Sequence, residues 1–179
     1  VTVRAPRVVV AAGGIESPAL LQRSGLSLPE LGRNLFLHPT TAVAGLYDDV
    51  VEAWNGPPQS ILCGQFASLE GNYGFRLETA PAHPGLLALA LPWTDPREHR
   101  RLMQRCAHAS AMIVLTRDAV GGRVRTRSDG TAMIDYVPGS AERRLIARGI
   151  AEAARVRLAA GAREVRTLHA SGPALRRAD

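Results

Sequence analysis

The sequence predicts an α+β fold, and three observations carry that prediction. A run suited to a buried strand, Val8-Val9-Val10, passes through Ala11-Ala12 into Gly13-Gly14 and then a short capped helix. Strand candidates at 111–117, 123–126 and 132–137 are separated by turns at Gly121-Gly122 and Asp129-Gly130, the spacing of an antiparallel meander. After Gly139-Ser140, the residues Leu145, Ile146, Gly149, Ile150, Ala153 and Val156 recur at intervals of three and four, giving a helix with one apolar face that ends at Gly161.

Taken in order, the three valines favour an extended chain covered on both faces, as in a parallel sheet. Gly13-Gly14 turns the backbone with no side chain in the way of a ligand. Ser17 is placed to cap the helix, with Pro18 at its first position and Gly25 just past its end. The free N–H groups of that helix then point back at the glycine turn and suit an anionic or dinucleotide ligand. A loop through Leu28-Pro29 leads to His38-Pro39 and a strand at 40–47. From 48 to 85 the pattern is irregular, with short strands at 60–67 and 74–79 broken by Gly56-Pro57-Pro58, Gly71-Asn72 and the stretch 81–85. Long loops over a sheet suit a substrate chamber. Asp95-Pro96-Arg97-Glu98 is a capping-box start for a helix that runs to about His108 with Leu102, Met103 and Cys106 on one face. Residues 164–168 form a closing strand.

Composition removes several function classes. With 46% hydrophobic residues in 179, the chain can build a core. The net charge of +6 would raise nucleic acid as a partner, yet all 22 basic residues are arginine and they are scattered. The one dense group, Arg97, Arg100, Arg101 and Arg105, reads as a solvated helix face. Aromatic residues make up only 4% of the chain, and no RNA-binding sheet motif or zinc-finger spacing occurs, so no nucleic-acid partner is expected. Cys63 and Cys106 are read as two buried free thiols. The longest apolar run, 86–91, is far short of the ~20 residues of a membrane span. No histidine pair has metal-ligand spacing, so no metal is expected, and no Gly-x-Ser-x-Gly or Cys-His pattern supports nucleophilic catalysis. Glu78 lies among apolar residues and is a candidate buried carboxylate.

Three motifs carry a family resemblance. Residues 11–26, Ala-Ala-Gly-Gly-Ile-Glu-Ser-Pro-Ala-Leu-Leu-Gln-Arg-Ser-Gly-Leu, resemble the second signature of the glucose-methanol-choline (GMC) oxidoreductases, flavoenzymes that oxidise alcohols. Gly32-Arg33-Asn34-Leu35-Phe36-Leu37-His38-Pro39 is similar to the Gly-x-Asn-Leu-x-x-His-Pro element that follows it in the family. Gly121-Gly122-Arg123-Val124-Arg125, with Asp135-Tyr136 downstream, resembles the family hairpin that usually reads Ser-Arg-Gly-x-Val-x-Leu, although Val120-Gly121 replaces the Ser-Arg. The segment 75–85 and the form Leu-Gly-Arg-Asn-Leu are most similar to the long-chain (fatty) alcohol oxidase branch.

The resemblance implies the end of an FAD-binding α/β domain at 1–45, joined to an antiparallel-sheet substrate domain with flanking helices at 46–179. It implies FAD as cofactor, held at Ala12, Gly13, Gly14 and Ser17, with His38, Pro39 and His83 at the substrate side or the junction. His38 either holds the active-site loop or bonds backbone where the chain crosses between domains, and His83 either lines the substrate path or fixes its turn. The reaction implied is oxidation of a long-chain or apolar alcohol to the aldehyde or ketone by hydride transfer to the flavin. Neither the Gly-x-Gly-x-x-Gly loop with its acidic partner nor the family's His-Pro-x-Gly-Thr segment occurs in these residues, so no catalytic residue is expected here and the chain is expected to be an internal piece of a larger enzyme. Its partners are then the alcohol and the remainder of the same polypeptide, with a cytoplasmic or peripheral-membrane location. The alternative is a freestanding, non-catalytic binding or structural module built on this fold.

Overall fold

The computed structural model describes residues 2–169 and 174–176. The chain falls into two compact units, residues 1–37 with 118–139, and residues 38–117 with 140–179.

In the first unit, helix α1 (Gly13–Arg23) packs on the hairpin of β5 (Arg123–Thr126) and β6 (Ala132–Asp135). Side chains stitch the two together: Gln22 Nε2 donates to Val124 O at 3.0 Å, Thr126 Oγ1 donates to Gln22 Oε1 at 2.8 Å, and Arg23 donates to Gly130 O at 2.9 Å. The helix ends as expected, with Gly25 at φ +79°, its N–H on Gln22 O, and the Leu26 N–H on Leu21 O. Its start differs from expectation, because the helix begins at Gly13 and Pro18 lies inside it. The glycine pair turns directly into helix without waiting for a capping side chain, and Ser17 Oγ instead accepts the Ala12 N–H at 2.9 Å.

The expected strand at 8–10 does not form. Residues 2–11 have no regular structure, and Val8 and Val9 are 81% and 88% exposed. A strand needs a neighbour for its N–H and C=O groups, and none of the strands among the described residues pairs with this one.

The second unit is a six-stranded antiparallel sheet in the order β2-β3-β4-β1-β7-β8. Its strands are β1 (Thr40–Leu46), β2 (Leu62–Cys63), β3 (Phe75–Ala80), β4 (Ala109–Thr116), β7 (Glu164–Thr167) and β8 (Leu175–Arg176). With β1 and β3 on its two sides, β4 has no free edge for β5, so the expected continuous meander is split and β5–β6 forms a separate hairpin. The expected strand at 60–67 shrinks to Leu62–Cys63.

Alternation assigns the faces. Val43, Phe75, Leu77, Met112, Val114 and Val165 form one buried cluster with Leu145, Ala153 and Ala154 of α4 (Ser140–Ala159). Burial of side chains such as Phe75 and Val114 stabilises by about 1.5–3 kcal/mol each, far above the ~0–1 kcal/mol of an exposed ion pair. Leu46 and Ala109 join a second cluster with Leu87 and Leu91, at α2 (Pro84–Ala90), and Leu102 of α3 (Pro96–Gln104). Helix α2 stands where the stretch Pro81 to Gly85 predicts only a break. Pro84 instead opens the helix, with His83 as its cap. Cys63 and Cys106 are free and half-buried rather than buried. Glu78 is likewise half-buried, taking a hydrogen bond from Gln59 at 3.1 Å.

The α3 arginines do not share one solvated face. Arg97 and Arg100 are exposed, Arg105 donates to Tyr47 O at 2.7 Å, and Arg101 joins an ion-pair network. Arg101 bridges Glu98 at 2.7 Å and Glu164 of β7 at 2.9 Å, while Arg166 pairs with both acids. At Glu98, the Arg101 hydrogen bond outweighs burial and holds the carboxyl below its ordinary value, with help from the Arg166 charge. At Glu164, burial pushes upward, but the hydrogen bonds and charges of Arg166 and Arg101 win and hold the carboxyl low.

Depressed carboxylate pKa values contribute stability above the ordinary value of 4.5 that is lost as pH falls through the lower folded values. Melting temperature measured from about pH 7 to about pH 3 should therefore drop on the acid side. Glu164→Gln should lower it at pH 7 and flatten that acid limb, and identical slopes in variant and parent would refute the assignment. A second expectation concerns Gly149, where a methyl group would overlap Val114 Cγ1 and come within 3.2 Å of the Phe75 ring. Gly149→Ala should destabilise by about 1–3 kcal/mol of overpacking, against a helix-propensity gain of ~1 kcal/mol. A raised melting temperature would show that the contact is not tight.

Candidate functional site

The glycine corner is built so that its backbone can be approached. Gly13 has φ +80°, and a Cβ placed on Gly13 or Gly14 meets nothing within 4 Å. Ala12, the helix N-cap, provides no side-chain cap, so the first-turn N–H groups are left without the side-chain acceptor that usually covers them. Pro18 has no N–H to give back along the helix, and both Gly14 and Pro18 line a cavity of about 330 Å³ whose other wall is the segment 32–36 together with Val124.

All three sequence motifs meet here. Gly32 adopts φ +77°, and any Cβ on it would collide with Val124 O; its own carbonyl accepts the Val124 N–H at 2.7 Å. Leu35 and Gly122 exchange two backbone hydrogen bonds at 3.1 and 2.8 Å, and a Cβ on Gly121 would stand 3.0 Å from Asn34 Cα. Thus Gly32 and Gly121 are required by the backbone of another motif, and Gly14 is left open toward the cavity.

Buried Asp118, which nothing in the local sequence marks, accepts the Leu37 N–H at 2.7 Å and the Tyr136 hydroxyl at 3.1 Å. It fixes the backbone immediately ahead of His38. Its role comes from contacts 81 and 18 residues away, which no motif spacing signals.

The remaining predicted site residues lie in the second unit. His38 is exposed at φ +48° and lines a cavity of about 270 Å³ with Asn72, Thr116 and Arg117. Pro39 is half-buried, and its carbonyl accepts the Thr116 N–H at 3.0 Å, continuing the β1–β4 pairing. His83 Nδ1 accepts the Gly85 N–H at 3.2 Å and so caps α2. Among the described residues, no group of three or more His, Cys, Asp or Glu is placed to hold a metal ion.

Comparison with known proteins agrees with this arrangement. The GMC oxidoreductase family model matches residues 1–40, which include the glycine corner and the segment facing it. An uncharacterized GMC-type oxidoreductase of Mycobacterium tuberculosis is 36% identical over 97% of this chain and 27% of its own length. Two long-chain-alcohol oxidases of Arabidopsis thaliana are 28% and 29% identical, over 93% and 94% of this chain and 24% and 23% of their own lengths. The chain thus spans about a quarter of the length of the curated relatives it matches. With the matched segment supplying the open glycine corner and the similarity running on through both units, the family this chain matches is that of the GMC oxidoreductases.

Proposed function

We propose that this chain forms part of an FAD-dependent oxidoreductase acting on the CH–OH group of a long-chain or otherwise apolar alcohol. The observation that carries the reading is the convergence of three sequence-distant motifs on one corner whose glycine backbone is open on the side a ligand would approach. The likeness to long-chain-alcohol oxidases supports the substrate class.

The residues present fit the cofactor. Gly13 and Gly14 let a phosphate-bearing group come against bare backbone, the first-turn N–H groups of α1 supply hydrogen bonds and positive dipole, and Ser17 Oγ braces the turn through Ala12 N–H. Bound FAD supplies the hydride acceptor, and the alcohol becomes an aldehyde or ketone. We assign residues 1–45 to cofactor contact and 46–179 to enclosing substrate, with hairpin β5–β6 supporting the cofactor side because it packs on α1. His38 and Pro39 are assigned to the junction between the two and His83 to the substrate side, and no residue of this chain is assigned as proton acceptor. The rest of the polypeptide completes the site. No helix among the described residues is long and apolar enough to cross a membrane, while the exposed Leu89 and Trp93 support a peripheral contact with lipid, where such alcohols reside.

The test uses the full protein that carries this chain. Because a side chain at Gly14 meets nothing, Gly14→Leu should leave the melting temperature unchanged or raised. Flavin retained after purification, read from visible absorbance, should fall by roughly tenfold or more, which corresponds to at least ~1.4 kcal/mol of lost binding. Gly85→Ala at the start of α2 serves as the control and should retain flavin. Equal flavin content in the two variants would overturn the assignment.

A further inference from the structure

A second cavity, independent of the glycine corner, lies wholly within the second unit. It has a volume of about 410 Å³ and is bounded by the loop 51–60, the strand ends near Thr79–Pro81 and Ser110–Ala111, Tyr47, Arg157 of α4 and Ala160 just past that helix. Its walls are mainly apolar, with Val51, Ala53, Pro57, Pro58 and Pro81 among them, and no acidic residue lines it.

Arg157 is the anomaly. It is only 8% exposed, no carboxylate among the described residues pairs with it, and its Nε and Nη2 atoms are buried without a hydrogen-bond partner. Nearby Ser110, 9% exposed, has a buried hydroxyl that is also without a partner. Gly45 sits opposite Ser110 in the β1–β4 ladder, and a Cβ on it would come within 3.3 Å of Arg157 Cδ, so this glycine makes room for the arginine side chain.

The unused atoms are the informative ones. Arg157 Nη1 is engaged by Tyr47 Oη at 3.4 Å, whereas Nε and Nη2 are the two parallel donors along one edge of the guanidinium, the edge that matches the two oxygens of a carboxylate. A desolvated cation with no counter-charge is costly, and a carboxylate seated on that edge removes the cost. The Ser110 hydroxyl supplies one further donor. The apolar walls suit a short hydrocarbon tail behind the charged head.

We propose that this cavity binds a small organic carboxylate with an apolar tail, its head held by the Nε–Nη2 edge of Arg157 and by the Ser110 hydroxyl. The donors are closed to water while the cavity beside them is open, so binding turns the guanidinium edge into the cavity and gives up the long hydrogen bond to Tyr47. A carboxylate side chain from elsewhere in the polypeptide offers the same chemistry, and the experiment separates the two sources.

Hexanoate, its neutral analogue hexanamide and inorganic phosphate are titrated into the full protein, with binding read by calorimetry and by thermal shift. Hexanoate should bind and raise the melting temperature, while hexanamide and phosphate should not. Arg157→Met should weaken hexanoate by roughly 100-fold, and Ser110→Ala by on the order of tenfold, the scale of lost charge-assisted hydrogen bonds. Without hexanoate, Arg157→Met should melt no lower than the parent, since it removes a buried charge that has no partner. If the methionine variant fails to fold, Arg157→Lys, which keeps the charge and loses the fork, should still weaken hexanoate. Hexanoate binding that survives Arg157→Met, or phosphate binding as well as hexanoate, would overturn the proposal. So would a parent that ignores hexanoate while Arg157→Met lowers its melting temperature, which would mean that the polypeptide's own carboxylate fills the cavity.

Discussion

The larger unit depends on the close seating of α4 against the sheet. Gly149, in the middle of a 20-residue helix, carries no side chain because Val114 and the Phe75 ring occupy the space where one would go. This approach lets Leu145, Ala153 and Ala154 lie over Val43, Leu77 and Val165, and their burial is the dominant favourable term in this unit. A helix-breaking residue is kept where propensity alone would choose alanine. The loss of about 1 kcal/mol in helix preference is small beside the packing it permits.

Different physics secures the other side of the sheet. On that face the buried apolar cluster is the one where Leu46 and Ala109 meet Leu87, Leu91 and Leu102. Beside it, Glu98 and Arg101 of α3 engage Glu164 and Arg166 of β7, so charges rather than volume fix where the helix lies. Partly exposed pairs add little net stability, but a network that satisfies every member sets one register. Arg157 stands in contrast as a buried arginine in the same unit whose Nε and Nη2 donors are unused. The different fates of Arg101 and Arg157 show why a count of basic residues says little about what each does.

In the smaller unit, backbone proximity takes the place of a core. Gly32, Gly121 and Gly122 allow three chain segments to touch main chain to main chain, and Asp118 ties Leu37 to Tyr136 at the end of that contact. Such contacts are rigid because they lack side-chain freedom. Rigidity of this kind is what the cofactor contact proposed for this corner needs.

The sequence by itself determined the elements with strong local signals. Asp95 and Pro96 start α3 where their capping chemistry requires, with the Arg97 N–H on Asp95 at 2.8 Å, and Gly25 and Gly161 end their helices in left-handed turns. The residues of β5 and the long apolar repeat of α4 were equally legible, because short spacing encodes them, whereas the glycines of the candidate site were singled out by the Gly13-Gly14 turn together with the family resemblance. Only the tertiary structure decided that β5–β6 leaves the main sheet, that 8–10 forms no strand, that α2 begins at Pro84 and that Asp118, Ser110 and Arg157 are buried. The physical reason is range. Caps, turns and periodicity act over a few residues, whereas strand pairing, buried charge and cavity walls depend on groups tens of residues apart that meet only after the chain has folded.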